Sequence, residues 1–540
     1  MPKIEIDGIE VECRDGITVL QAALEAGWSV PHYCYHPGLS VVASCRLCLM
    51  EMQMPSPKGG GMEWSSKLVP SCQVPVKNGL VVRFASDQVK RNQRRVMEFL
   101  LLNHPLDCPV CDQAGECLLQ DYSYEFGDPT SRMRDEKHKS PKKDIGPRTL
   151  LYSDRCVLCT RCVRFTREIT GTHDLCVTHR GSENEIDVFP GKALDNPLQG
   201  NVVDLCPVGA LLDKDFLFKQ RVWFLKRTKS ICPGCSTGCA VSVDSNEGVV
   251  YRLKPRYNPG VNDWWMCDEG RFGWKYMHDA NRITAPVIRR GGVTGTPPWD
   301  SVPEIVDARL RAVIEAHGPD KVAVVLSPMM ACEEAWLLVR FLRSVASEAT
   351  LVLGPVPIQG QLQMFPVGST GDAVRFTIRR EKCPNRRGVE TIIAETGGPT
   401  LSFEVFCEQA TAGAFAAAWI VGGYPEPWVT KDFAKAVGQL EFVVAQDLFP
   451  NEVTEVATLV LPACGFAQRE GSFMNFGGRI QPFDRAIAPP DGAKGDGQYL
   501  YELAGFTGLY SGRAVREMMA QEIHLFSMVK EAPPMPVHQH

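Results

Sequence analysis

Cysteine spacing constrains this chain more than any other feature. Of its 21 cysteines in 540 residues, 17 lie in residues 1–267 and four lie beyond. Four segments repeat a C-x-x-C spacing: Cys45–Cys48, Cys108–Cys111, Cys156–Cys159–Cys162 and Cys232–Cys235. A tight loop of that kind points two thiolates into one small volume, as zinc sites and iron–sulfur clusters both require. Disulfide scaffolds belong mostly to small exported domains. Here the start, MPKIEIDGIEV, runs straight into a strand pattern, so no signal or transit peptide is expected. At roughly 100–200 residues per domain, the length allows three or four domains with apolar cores of their own. The cysteines are therefore expected to bind metal rather than one another.

The net charge of −5 gives no reason to invoke nucleic acid or an anionic membrane surface. No apolar run approaches the roughly 20 residues of a spanning helix, so no direct membrane span is expected.

The cysteines sort into four ligand sets. Residues 3–6 and 9–13 flank Asp7–Gly8, a hairpin signal, and Thr18-x-x-Gln21 is a capping box opening a helix over 19–26. Then follow Cys34, Cys45, Cys48 and Cys72, spaced x10, x2 and x23, a pattern suited to a [2Fe–2S] cluster. The last gap contains PSPKGGG, residues 55–61, which reads as a surface-loop insertion. Cys13 reads as core. Residues 87–103 read as an amphipathic helix, with Val89, Val96, Phe99 and Leu100 on one face and Lys90, Arg91, Arg94 and Arg95 on the other. Next come His104, Cys108, Cys111 and Cys117. Three cysteines are one ligand short of a cubane, and a neutral histidine can complete it; a Cys3His zinc site is the alternative. Residues 127–150 are polar and aperiodic and read as a linker. Cys156, Cys159 and Cys162 with a remote Cys206–Pro207 resemble half of a bacterial ferredoxin, enough for one [4Fe–4S] cubane. Cys176 reads as a buried thiol. Finally Cys232, Cys235, Cys239 and Cys267 make a fourth set, with a strand pair expected around Glu247–Gly248. Fifteen cysteines and His104 thus supply sixteen ligands, for one [2Fe–2S] and three [4Fe–4S] clusters. Four such sets in series predict a conductor of electrons.

Residues 300–540 read as α/β. Buried strands are predicted at 321–326, 350–353, 417–421, 442–445 and 458–461, with helices at 333–345 and 430–437 between them. No G-x-G-x-x-G or Walker A motif marks a nucleotide site. Cys332, Cys383, Cys407 and Cys464 share no spacing and read as lone thiols.

The segments HYCYHPGLSVVASCRLC (32–48), MEFLLLNHPLDCPVCDQAGECLLQD (97–121), RCVLCTRCVRFTREITG (155–171) and NVVDLCPVGAL (201–211) closely resemble the family of large iron–sulfur subunits (75-kDa type) of respiratory complex I, NADH:quinone oxidoreductase. The CPGCSTGC segment with Cys267, and residues 446–481, resemble molybdopterin oxidoreductases. In catalytic members the segment matching residues 470–475 lies near the pterin dinucleotide. No cysteine here stands in an obvious molybdenum-ligand context; Cys332 is the nearest candidate.

The resemblance implies a multidomain α/β chain. It would comprise a β-grasp [2Fe–2S] ferredoxin-like domain (1–85), a His/Cys3 [4Fe–4S] domain (86–126), a linker (127–150), a ferredoxin-like [4Fe–4S] domain (151–227), a molybdopterin-oxidoreductase-type [4Fe–4S] domain (228–284) and an abridged molybdopterin-oxidoreductase-like α/β domain without molybdenum (285–540). It implies an electron-transfer subunit of the proton-translocating complex, with no bond-making residue of its own. Its partners would be the NADH–flavin subunit, a two-[4Fe–4S] ferredoxin-like subunit and other peripheral-arm subunits, at the cytoplasmic face of the bacterial inner membrane. The competing readings are the alpha subunit of an NAD-linked formate dehydrogenase, an iron-only hydrogenase, and a nonredox zinc scaffold.

Overall fold

The computed structural model describes residues 1–56, 61–290 and 292–534, and the chain divides into two compact units. The first holds residues 1–225 and 364–376; the second holds 226–363 and 377–533.

The first unit opens with a six-stranded sheet. Lys3–Ile6 and Ile9–Glu12 form the expected hairpin, with Asp7 and Gly8 both at positive φ, as a two-residue turn of matching twist requires. Lys3–Ile6 also pairs in parallel with Leu80–Arg83, which pairs in turn with Leu49–Pro55. The helix Val19–Glu25 starts at Thr18, whose hydroxyl and Gln21 complete the capping box. Its Val19, Leu20, Ala22 and Ala23 pack on Ile4, Ile6, Met50 and Val82 to close the core, and Cys13 is buried there. Much of the 55–61 stretch lies outside the described residues; Met62–Trp64 beyond it pairs with Leu49–Pro55.

Two readings of this region are corrected. The helix Asp87–Leu101 buries Val89, Gln93 and Met97, a stripe at i, i+4 and i+8, whereas Phe99 is 69% exposed. The helix dips only a narrow edge into the core, and an i, i+4 row fits that edge better than the broader apolar face. Residues 127–150 are not wholly aperiodic: Lys142–Asp144 and Thr149–Tyr152 pair antiparallel, and Leu211–Asp213 joins them. Charged residues hide the Lys142–Asp144 strand because its side chains face water or ion pairs, as Lys143 does with Glu185 and Asp187. The helix Arg161–Glu168 and the hairpin Leu175–Thr178/Glu185–Val188 complete the unit. Cys176 lies on that hairpin and is only partly buried, not fully as expected.

The second unit begins with a three-stranded antiparallel sheet, Lys226–Ile231, Ala240–Asn246 and Val249–Pro255; Glu247 and Gly248 turn it at positive φ. An eight-stranded sheet follows. Its parallel body runs in the spatial order Leu459–Pro462, Phe442–Asp447, Ala417–Val421, Val322–Leu326, Thr350–Leu353, Thr400–Leu401, with an antiparallel edge at Val287–Arg290 and Val293–Gly295. These strands are near-continuous apolar runs because helices cover both faces. Strand order reverses between Val322–Leu326 and Ala417–Val421, a topological switch point. No helix among the described residues is long and apolar enough to cross a membrane.

Candidate functional site

The first set hangs on the loop after Val19–Glu25. Cys34 and Cys72 are fully buried and Cys48 nearly so. Ala43 and Arg46 adopt left-handed backbone on either side of Cys45, which folds the loop tightly enough to turn its thiols inward. Ser71 donates through Oγ (2.7 Å) and N (3.1 Å) to the Cys48 carbonyl, fastening the Cys72 turn to the Cys48 turn. The Tyr33 N–H donates to Cys45 Sγ at 3.5 Å. The thiols interact pairwise: the Cys45 thiol lowers Cys34 to about 5, and the Cys72 thiol lowers Cys48 to about 7. The four side chains sit within one another's fields.

In the second set Cys111 is buried, Cys117 half-buried and Cys108 exposed. Burial pushes Cys117 up to about 12. The three thiols act on one another. His104 precedes them on the same loop. Burial, then the charges of Arg155 and Lys137, hold its ring down to about 4, so it is neutral at pH 7 and keeps a lone pair for a metal. The charges acting on that ring are those of Arg155, Lys137 and Asp107, and no thiol is among them.

The third set lines one small cavity. Cys156, Cys159, Cys162 and Cys206 wall it with Leu151, Ile186 and other apolar side chains. Leu158 and Thr160 take left-handed backbone between the cysteines. Burial pushes Cys156 up to about 12 and Cys159 up to about 11. The Cys206 loop also touches the second set: the Leu118 N–H donates to the Pro207 carbonyl at 3.0 Å, and a Cβ on Gly209 would stand 2.2 Å from Cys111 Sγ. Arg155, next to Cys156, binds Asp107, next to Cys108, at 2.6 Å.

The third set also reaches the first. Arg164 donates to the Cys34 and Ser40 carbonyls, and Arg161 to the Tyr35 carbonyl at 2.5 Å. Glu168 accepts from Ser40 Oγ at 2.6 Å. The Cys156 set therefore stands between the other two. These arginines were not singled out in the sequence. Their only local signal is a run of cations on a cluster helix, RCVRFTRE, with no acid partner at i+4 for Arg161.

The fourth set is in the second unit. Cys232, Cys235, Cys239 and Cys267 are all buried. A Cβ on Gly270 would stand 2.7 Å from Cys232 Sγ, and one on Gly234 3.6 Å. Glycine is what lets the chain press on these thiols. Burial pushes Cys232 up to about 12.

The donor chemistry fits iron–sulfur clusters. Thiols packed together in apolar surroundings bind protons tightly, and a cationic iron core would hold them as thiolates instead. As the side chains stand, no three His, Cys, Asp or Glu among the described residues are placed to hold one metal ion. Molybdenum fits poorly. A cavity of about 530 Å³ lies at the carboxyl ends of Val322–Leu326, Thr350–Leu353 and Ala417–Val421, lined by Met329, Pro355, Tyr424 and Trp428 and by Pro233 and Gly234 of the Cys232 loop. Its described walls carry no cysteine or histidine. Cys332 is fully buried elsewhere, its Sγ donating to Asn385 Oδ1 at 3.3 Å.

Comparison with known families agrees in order along the sequence. Residues 2–87 match the 2Fe-2S iron-sulfur cluster binding domain, and 93–132 the NADH-ubiquinone oxidoreductase-G iron-sulfur binding region. Residues 146–212 match the NADH-quinone oxidoreductase subunit 3 ferredoxin-like domain, 225–279 the molybdopterin oxidoreductase Fe4S4 domain, and 395–506 molybdopterin oxidoreductase. The protein is thus of the class that strings [2Fe–2S] and [4Fe–4S] domains ahead of a molybdopterin-oxidoreductase fold. Within that class it is a homologue of the 75 kDa iron–sulfur proteins of NADH-quinone oxidoreductase. It is 38% identical to a subunit of NADH-quinone oxidoreductase from Rickettsia felis over 350 residues, 64% of this chain and 50% of the relative. It is 35% identical to "NADH-ubiquinone oxidoreductase 75 kDa subunit" of Reclinomonas americana, over 66% of this chain and 50% of the relative. It is 42% identical to "NADH dehydrogenase [ubiquinone] iron-sulfur protein 1, mitochondrial" of Solanum tuberosum, over 53% of this chain and 37% of the relative. The chain spans about half the length, or less, of these curated relatives.

Proposed function

We propose that the chain is an electron conductor within a proton-translocating NADH:quinone oxidoreductase, taking electrons from an NADH–flavin subunit and passing them toward quinone. One observation carries this reading: three ligand sets are joined loop to loop in one unit, with the Cys156 set in the middle. Bound clusters supply the redox change; the chain's residues hold them at fixed places and exclude water. In this reading Cys34, Cys45, Cys48 and Cys72 hold a [2Fe–2S] cluster. His104, Cys108, Cys111 and Cys117 hold a [4Fe–4S] cluster, as do Cys156, Cys159, Cys162 and Cys206, and Cys232, Cys235, Cys239 and Cys267. The domain bounds follow the ligand sets: 1–85, 86–126, 151–227, 228–284 and 285–540, with 127–150 between the second and third. A two-[4Fe–4S] ferredoxin-like subunit is the acceptor, and the assembly sits at the cytoplasmic face of the bacterial inner membrane. The Cys232 set lies in the other unit and has a structural or side role.

Iron and acid-labile sulfide analysis tests this directly. About 14 of each per chain is expected, from one binuclear and three cubane clusters. Zinc without sulfide would sink the proposal, and stoichiometric molybdenum or tungsten with formate oxidation would favour a formate dehydrogenase. Replacing His104 by Cys should lower the potential of one cubane in a low-temperature EPR titration, since thiolate adds negative charge. An unchanged signal and potential would remove His104 from the ligand set.

A further inference from the structure

Arg161 and Arg164 stand one turn apart on the helix that carries Cys162, and both are buried, 7% and 3% exposed. A single Arg164 nitrogen, Nη2, donates to the carbonyl of Cys34 and, at 3.3 Å, to that of Cys159. One atom thus joins residues of two ligand sets. Arg161 repeats the bridge one residue away on each side. Its Nη2 donates to the Tyr35 carbonyl and its Nη1, at 3.4 Å, to the Leu205 carbonyl, beside Cys34 and Cys206 respectively. The side-chain hydrogen bonds of both guanidiniums go to carbonyl oxygens, and both Nε atoms are buried without a partner. The nearby carboxylate, Glu168, is engaged by Ser40 and Arg167.

A carbonyl accepts a hydrogen bond but does not neutralise a cation, and a buried charge is costly unless an opposite charge answers it. The negative charge at hand is thiolate. Burial acts against the Arg164 cation, and the Cys159 and Cys34 thiolates act for it. Arg161 acts in the same way on Cys159 and Cys206.

We propose that Arg161 and Arg164 are positioning residues shared by the Cys34 and Cys156 sets, one pair of positive charges that raises the reduction potential of both together. The proposal rests on the reading that these sets hold clusters. Adding an electron to either set adds one negative charge and changes no bond. Both guanidiniums lie in a medium of low dielectric, so each added charge is stabilised by the same pair.

The test is a redox titration of the reconstituted full chain followed by low-temperature EPR, with the two signals assigned by their loss in Cys48→Ser and Cys159→Ser. In Arg164→Gln, and separately in Arg161→Gln, both signals should titrate at lower potential. At fixed ambient potential the oxidised-to-reduced ratio of each should rise about tenfold, as expected for one unit charge at close range. Arg164→Lys should restore most of the shift, which a purely structural role would not predict for a shorter side chain with different hydrogen bonds. If Arg164→Gln loses both signals through misfolding, Arg161→Gln and Arg164→Lys carry the same comparison. Signals that do not move, or one that moves while the other stays, would overturn the shared pair. A wild-type chain with no signal removed by either serine variant would defeat the cluster reading itself.

Discussion

At the scale of single residues, the chain places charge in its interior only where something answers it. Glu333 is fully buried yet accepts from Ser472 N and Oγ and from Arg516. Glu334 accepts from Arg469 at 3.0 Å, and Asp496 stands 3.7 Å from the same nitrogen. Asp496 also accepts from the Cys464 N–H, with Arg282 nearby and the buried Tyr499 beside it. Burial, then the Glu334 charge, pushes Asp496 up to about 8. The folded chain therefore binds a proton that the unfolded chain, with an aspartate near 4, releases. That contribution to stability is full below about pH 4 and is lost as pH rises through about 8, with a slope of at most about 1.4 kcal/mol per pH unit. Asp496→Asn should flatten this dependence and raise thermal stability at pH 8–9 relative to the wild type; a parallel fall at every pH would argue that Asp496 is ionised in the fold.

At the scale of elements, the ligand loops are where the backbone is strained. Ala43, Arg46, Leu158 and Thr160 all carry positive φ beside predicted ligands. Each costs on the order of 1–2 kcal/mol for a residue with a side chain. The helices and strands around them are regular, capped by Thr18, Ser86, Ser402 and Thr430. Packed loops leave no slack at Gly209, where an added Cβ would stand 2.2 Å from Cys111 Sγ and 3.2 Å from Gln113 Cβ. Gly209→Ala should displace that thiol, cost about four irons per chain and remove one cubane signal, while the [2Fe–2S] signal persists. Full iron content in this variant would show that the loop can give way. The capping boxes and C-x-x-C runs were legible because they are local. The stripe on Asp87–Leu101 was not: Phe99 is apolar in sequence and exposed in the fold, and Gln93 is polar and buried. Periodicity reports which side chains could be buried, and packing decides which are.

At the scale of the whole molecule, two units divide the chemistry. In the second, helices on both faces bury the parallel sheet, and Trp336 is among its largest buried side chains, with Nε1 donating to Glu522 at 3.0 Å. Trp336→Ala should destabilise that unit by about 3–5 kcal/mol, read as a lowered denaturation midpoint by near-ultraviolet circular dichroism. In the first unit, the spacing of cysteines along the chain was enough to sort the ligand sets, because loop length limits which thiols can meet. The parallel strands of the second unit were equally legible, because a strand buried on both faces must be apolar throughout. Other facts needed the tertiary structure. No spacing rule brings Arg164 to Cys34, 130 residues away, or sets the Cys206 loop against Cys111. Nor does any local pattern reveal that the cavity at the switch point lacks a thiol among its described walls while Cys332 is sealed in the core. Local sequence determines which atoms can serve as ligands; only the fold, by choosing what packs on what, decides which charges and which neighbouring sets those ligands face.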